Sequence, residues 1–166
     1  MNNQKNMKEE FIFYFGPDSV FSHWYKCNFA IDGKNYCCVE QYIMYKKAIL
    51  FNDLEIANKI LHSSDPQRHR YLGKQVAGFI KSVWQNECKQ YAYEANYAKF
   101  TESEKLMKAL VDTKEKSLAE ASPYDRNWGI GLSVANPRNQ DRKNWRGKNW
   151  CGEVLELVRR NILMQG

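Results

Sequence analysis

No apolar run in the 166 residues approaches the length of a membrane span, so nothing reads as a transmembrane helix. The opening residues, MNNQKNMKEE, have no apolar h-region and do not read as a secretory signal. They read as a short flexible tail over 1–10, and a cytoplasmic, intracellular location is the expectation. Cysteine supplies no framework: Cys27, Cys37, Cys38, Cys88 and Cys151 are odd in number, contain no CxxC and include an adjacent pair. That pattern argues against a disulfide scaffold and against a zinc site. His23, His62 and His69 are dispersed and form no ligand motif. Reduced, mostly buried thiols and no structural metal are therefore expected. Neither G-x-G-x-x-G nor a Walker motif occurs, so both common phosphate-loop fingerprints are excluded. The local signatures of Ser-His-Asp and Cys-His-Asn enzymes are missing too. There is no internal repeat, linker or low-complexity block.

What is there suits one globular domain over residues 11–166. Hydrophobic residues make up 43% and charged residues 27% of the chain, enough for a core and too apolar for disorder. The formal net charge of +6 fits an anionic ligand such as a phosphate ester, a pyrophosphate or a nucleic acid, without choosing among them. Aromatics reach 14%, which suits the walls of a site for a planar ligand and an ordinary core equally well.

Along the chain, Phe11–Phe15 reads as a buried strand, stopped by Gly16-Pro17-Asp18. Cys27–Ile31 and Lys34–Cys38 flank Asp32-Gly33, a two-residue hairpin turn. Periodicity predicts a helix over Val39–Phe51, then one over Leu54–Leu61 capped by Asn52 with Glu55. Asp65-Pro66 starts a third helix and Gly73 ends it. A longer helix is expected from about Phe79 to Phe100, and another from the Thr101-Glu-Ser-Glu104 capping box to about Val111. Ser117–Glu120 reads as a short strand, and a last helix runs from Trp150 to about Leu163. Between Ser122 and Asn149 helical patterning vanishes, while glycines and tryptophans accumulate; a stretch of that kind reads as an ordered functional loop. The fold class is mainly α, with a small N-terminal sheet and hairpin.

Three groups of residues can carry chemistry. On the Val39–Phe51 helix, Glu40, Ile43, Met44, Lys47, Leu50 and Phe51 share one stripe. Glu40 and Lys47 are two turns apart, roughly 10 Å along the axis, too far for an ordinary helical ion pair. An acid and an amine on an apolar stripe suggest a pocket wall, although both could snorkel to water. Ile43, Met44, Leu50 and Phe51 surround Lys47, so burial should lower its pKa and make it a neutral amine nucleophile able to form a Schiff base. Burial should raise that of Glu40 and suit it to acid–base work. The second group, Glu120 to Gly131, sets two carboxylates, Glu120 and Asp125, before Trp128 in a Gly-bounded turn; a capped turn around a core tryptophan would look the same. The third, Trp145-Arg-Gly-Lys-Asn-Trp150, together with Arg138 and Arg142, reads on charge alone as a solvated basic loop or a polyanion contact. Arg68, His69 and Arg70 read as a solvated face.

Taken in order, these residues resemble the NADAR, or YbiA-like, family. The resemblance rests on Ser22-His23-Trp24-Tyr25, Glu40-Gln41-Tyr42-Ile43-Met44, Lys47-Ala48, Gly73, Trp84 and Lys99-Phe100. It continues through Glu120-Ala121-Ser122, Asp125, Trp128-Gly129-Ile130-Gly131 and Trp145-Arg146-Gly147-Lys148-Asn149 with Gly152. It covers roughly residues 11 to 163. His23 stands where many members have Asn, and Trp150-Cys151 replaces a more usual apolar pair.

The resemblance implies an N-glycosidase that cleaves a bond between a ribose-type sugar and a base. The substrate is an ADP-ribosylated guanine, free or in nucleic acid, or else a phosphoribosylaminopyrimidine intermediate of riboflavin synthesis. It implies Lys47 as the group that captures the sugar as an imine, with Glu40 or Asp125 as the acid–base partner. Ser22, His23, Trp24, Tyr42, Trp84, Glu120, Trp128, Gly129, Ile130 and Gly131 are the implied substrate contacts. No cofactor, metal, membrane or obligate protein partner is called for. A non-catalytic ADP-ribose-binding module is the alternative from another class.

Overall fold

The computed structural model describes residues 9–165. Among the described residues, six α-helices, as the pattern predicts, pack with two small two-stranded sheets where one N-terminal sheet is expected. Strand β1 (Phe11–Tyr14) is followed by the hairpin β2 (Phe29–Ile31) and β3 (Lys34–Tyr36). Helices α1 (Val39–Leu50), α2 (Leu54–Leu61), α3 (Pro66–Lys74), α4 (Lys81–Thr101) and α5 (Glu104–Val111) come next. Strand β4 (Ser117–Glu120), two 3₁₀ turns (Pro137–Gln140 and Arg142–Asn144) and helix α6 (Trp150–Gln165) complete the chain.

The sheets are separate. β1 pairs in parallel with the distant β4, Phe11 opposite Ser117 and Tyr14 opposite Glu120, while β2 and β3 pair antiparallel. Asp32 and Gly33 both take positive φ, 51° and 72°, the turn that matches strand twist in a two-residue hairpin. The Phe11–Phe15 strand stops at Tyr14, and Phe15 is exposed. Part of the expected tail is tied down: Glu9 accepts from Ser117 Oγ and pairs with Arg142, and the Glu10 carbonyl accepts from Ser117 N. Residues 1–8 lie outside the described residues.

Several boundaries shift, each for a local reason. Asp53, not Asn52, caps α2, because Asn52 sits at φ 58° while Asp53 Oδ1 accepts from Ile56 N. Ser103 caps α5, since Thr101 is the last residue of α4 and turns its hydroxyl back to the Tyr97 carbonyl. Gly73 does not end α3. It lies inside the helix, where a Cβ would stand 2.0 Å from Met44 Sδ, so its role is to let α1 and α3 approach closely.

The main core gathers Tyr14, Phe21, Phe29, Val39, Tyr42, Ile43, Phe100 and Leu155 from both sheets, the loop after β1, α1, α4 and α6. Burying side chains of this size stabilises by about 1.5–3 kcal/mol each before entropy is counted. The long segment after β4 is held by its own backbone. Ile130 N donates to Glu120 O, Arg146 and Gly147 N donate to Ile130 O, and Asn149 N donates to Gly129 O. No helix is long and apolar enough to cross a membrane among the described residues.

Candidate active site

Cys38 begins the site by capping α1: its Sγ accepts from Gln41 N at 3.4 Å. Gln41 is a hub that sequence reasoning passed over. Its Oε1 accepts from Cys37 N at 2.8 Å and its Nε2 donates to the carbonyls of Ile60 and Ser63, both at 3.0 Å. The first turn of α1 is thereby fastened to α2, and the His23 carbonyl accepts from Glu40 N at 3.0 Å. Glu40 and Lys47 then face the same way, two turns apart.

They face a cavity of about 220 Å³ lined by His23, Trp24, Glu40, Ile43, Met44, Lys47, Arg70, Gly73, Lys74, Glu120, Asp125, Asn127, Trp128 and Cys151. A second, more apolar chamber of about 360 Å³ opens beside it, walled by Phe15, Pro17, Ser22 and Tyr124. The two share Trp24, Arg70, Glu120 and Asp125.

Burial pushes the Glu40 carboxyl up to about 7; Arg70 works against this, while Glu120 and Asp125 reinforce it. Burial also lowers the pKa of Lys47, with Glu40 opposing. Lys47 Nζ donates to the Gly73 carbonyl at 2.7 Å and lies 4.3 Å from the Phe79 ring centroid and 5.5 Å from that of Trp84. Glu120 is likewise raised by burial, and its Oε2 is buried with no hydrogen-bond partner. Asp125 is differently engaged. Its Oδ1 accepts from Asn127 N and Trp128 N at 2.9 and 2.8 Å, and its Oδ2 lies 3.8 Å from Arg70.

His23 is enclosed. Its Nε2 lies 3.2 Å from Asn96 Nδ2, which also donates to the Ala92 carbonyl, so the imidazole accepts there. Burial, with help from Lys99, drops its pKa to about 3 and keeps it neutral. Lys99 itself is 1% exposed, and its Nζ donates to the Ser22 carbonyl at 2.9 Å. It braces the Ser22–Trp24 wall from behind.

The structure brings together most of the anticipated residues: Glu40, Lys47, His23, Trp24, Glu120, Asp125 and Trp128 line the first cavity, and Ser22 the second. Others lie elsewhere. Tyr42 points to the opposite side of α1, where its hydroxyl donates to Glu94. Trp84 stands behind Lys47 without lining the cavity. Ile130 is fully buried against Ala119, Ala121 and Leu132. Gly129 packs on Ser122 and the Glu120 carbonyl, and Gly131, at φ 71°, packs against Arg146. These glycines build the loop that carries Trp128 and do not line the cavity. The basic residues Arg138, Arg142 and Arg146 are absent from both chambers.

Arg70, read from charge as a solvated face, is exposed as that reading has it and also reaches both chambers. The signal was present: Arg70, Gly73 and Lys74 fall at i, i+3 and i+4 on α3, one face of a helix. Among the described residues, the cavity carboxylates do not converge as a metal-binding group; Cys37, Cys38 and His69 do, outside the cavity.

An acid with a raised pKa, a desolvated amine and tryptophan walls in one cleft define a site suited to splitting a sugar from a planar base. The comparisons agree on the family. The NADAR domain model matches residues 12–163. The protein irg-1 of Caenorhabditis elegans is 36% identical over 168 residues, covering 92% of this chain and 79% of its own. A protein of Acanthamoeba polyphaga mimivirus named as an N-glycosidase is 35% identical over 162 residues, covering 91% of this chain and 95% of its own. The NMR structure of the Escherichia coli protein YbiA superposes with a TM-score of 0.78 at 23% identity, over 98% of this chain and 90% of that one. The chain belongs to the NADAR domain family, and with it to a group of hydrolases of N-glycosyl bonds.

Proposed function

We propose that this protein removes ADP-ribose from guanine, in a nucleotide or in nucleic acid, through a lysine-bound sugar. The observation that carries this reading is the pairing on α1 of a buried acid near pKa 7 with a desolvated amine in one cavity. Trp24 and Trp128 frame the base and sugar, and Arg70 and Lys74 receive phosphate at the mouth.

Protonated Glu40 gives its proton to the departing base as the C1′–N bond breaks, and that bond's electron pair leaves with the base. In its neutral form, which burial favours, the Lys47 amine uses its lone pair on C1′. It keeps one N–H donated to the Gly73 carbonyl and passes its other proton to O4′ as the ribose ring opens, leaving a protonated imine. Glu40, now a carboxylate, takes a proton from water, whose oxygen adds to C1′. Collapse frees the sugar and restores the lysine amine. Glu40 is preferred to Asp125 as the acid because Asp125 Oδ1 already accepts from two loop N–H groups and its Oδ2 faces the Arg70 guanidinium at 3.8 Å, which favours the carboxylate. A general acid of this kind is worth about 10²–10⁴ in rate.

The test is chromatographic. Purified protein is incubated with ADP-ribosyl-guanosine and, separately, with the ribosylaminouracil phosphate, and borohydride is added during turnover. Guanosine release from the first substrate, with a reduced sugar adduct on Lys47 and no turnover by Lys47→Ala, is expected. Turnover of the second substrate alone would place the protein on riboflavin intermediates. Tight binding without base release would make it a binding module. Active enzyme that borohydride never traps would remove the imine.

A further inference from the structure

Three soft or borderline donors converge at the N-terminal end of α1, away from Lys47 in its last turn. The ligand atoms of Cys37, Cys38 and His69 all lie within 4.8 Å of one another. Cys38 and His69 are fully buried, while Cys37 is half-buried and opens onto a surface groove lined by Asn28, Asn35, His62 and Ser63. His69 is aimed. Its Nε2 lies 2.8 Å from the Ser63 carbonyl, which assigns the ring proton to Nε2 and leaves the Nδ1 lone pair facing Cys38 Sγ at 3.6 Å. Fixing a ligating imidazole through its other nitrogen in this way is the usual outer-shell arrangement of metal-bound histidine.

We propose that Cys37, Cys38 and His69 form a binding site for a thiophilic d¹⁰ cation, Zn²⁺, with solvent from the groove in the fourth position. Bond lengths of about 2.0–2.3 Å in a tetrahedral centre put donors roughly 3.5–3.8 Å apart, and the His69–Cys38 separation already falls there. Two thiolates neutralise the dication, and the protons they lose go to solvent. The Gln41 N–H points at the Cys38 sulfur from the first turn of α1, so the sulfur is held in place at the end of the helix. Sequence spacing hid the site because Cys37-Cys38 and His69 are separated by all of α1 and α2.

The position gives the ion a consequence. Cys38 caps the helix that carries Glu40 and Lys47, and His69 adjoins Arg70 on α3. One cation there clamps together the two helices that face each other across the cavity. The inference does not depend on the proposed reaction, and its test uses no substrate.

Untagged, reduced protein is titrated with Co²⁺ as a spectroscopic probe. One equivalent should produce a thiolate-to-cobalt charge-transfer band with the visible bands of a tetrahedral centre. Zn²⁺ should abolish both stoichiometrically, and Zn²⁺ should raise the Tm. Cys37→Ser should weaken binding more than about tenfold, since loss of even an outer-shell partner costs about 10–100-fold. Cys88→Ala, on α4, should leave the spectrum unchanged. His69→Gln should behave as Cys37→Ser does; should that variant fail to fold, the half-buried Cys37 variant decides alone. Absence of the bands, their survival in Cys37→Ser, or equal loss in Cys88→Ala would overturn the site.

Discussion

Lys47 Nζ donates a 2.7 Å hydrogen bond to the carbonyl of Gly73, joining the last turn of α1 to the last turn of α3. Carbonyls in the last turn of a helix lack intrahelical partners, and this end of the dipole favours a cation. Here Ala77 N, which would continue the ladder, donates to Asp53 Oδ2 instead. The amine is thus oriented by a bond that either of its protonation states can make, while burial favours the neutral form. A neutral amine holding this bond still has its lone pair free.

Gly73→Ala tests that docking. The new Cβ would meet Met44 Sδ at 2.0 Å and Cγ at 2.9 Å. Met44 is flexible and has the cavity to move into, so the expected result is a modest loss of stability, about 1–3 kcal/mol, with a larger loss of substrate affinity. Denaturant unfolding and steady-state kinetics on the same preparation check it. Unchanged kinetics would show that the close approach of α1 and α3 is unrelated to the site.

Glu40→Gln should lower kcat by about 10²–10⁴ and remove the alkaline limb near pH 7 from the pH–rate profile. It should also stabilise the fold at pH 8. The folded carboxyl titrates at about 7 and the ordinary one at 4.5, so between these values the folded chain holds a proton that the unfolded chain has released. Wild-type stability therefore falls as pH rises through that window, by up to roughly 3 kcal/mol, and the amide is spared this. Thermal unfolding of both proteins at pH 4.5 and pH 8 should show the gain only at the higher pH.

Arg70 and Asp125 separate binding from chemistry. Arg70→Ala should raise KM for a phosphate-bearing substrate by about 10–100-fold, the worth of a charged hydrogen bond, with a smaller effect on kcat. Asp125→Asn keeps an oxygen to accept from Asn127 N and Trp128 N, so it should be milder in kcat than Glu40→Gln. The reverse order would transfer the acid role to Asp125.

Lys99 predicts an unusual stability profile. Desolvation lowers its pKa from 10.5 to about 8. Below pH 8 it is charged in both states and the whole cost of burying an ammonium is present. As pH rises from 8 toward 10 the folded chain sheds that proton first, and stability should climb by up to roughly 3 kcal/mol. Urea unfolding of wild type and Lys99→Met across pH 7.5–10 measures the difference in slope. Parallel curves would mean that Lys99 is not desolvated in solution.

The sequence by itself determined the helices, the hairpin turn, the α1 stripe and the family. These rest on local periodicity, on caps and on the order of motifs, all of which a linear reading can hold. It also put Glu40 and Lys47 on one face, because two helical turns return a side chain to the same side. Only the tertiary structure decided what that face looks at. The parallel pairing of β1 with β4 unites segments more than a hundred residues apart, and no local pattern encodes such a pairing. Gly73 read as a stop signal because glycine favours helix ends, yet close packing on Met44 is what requires it. Arg70 read as solvated, and it is exposed, but charge alone did not reveal that its exposed end lies at the mouth of both chambers. His69 appeared isolated until α3 folded back beside the cap of α1, bringing its ring to Cys38. Tyr42 and Ile130 belong to the same motifs as the cavity residues but serve the core, because a motif records which residues occur together and packing assigns each side chain its neighbours.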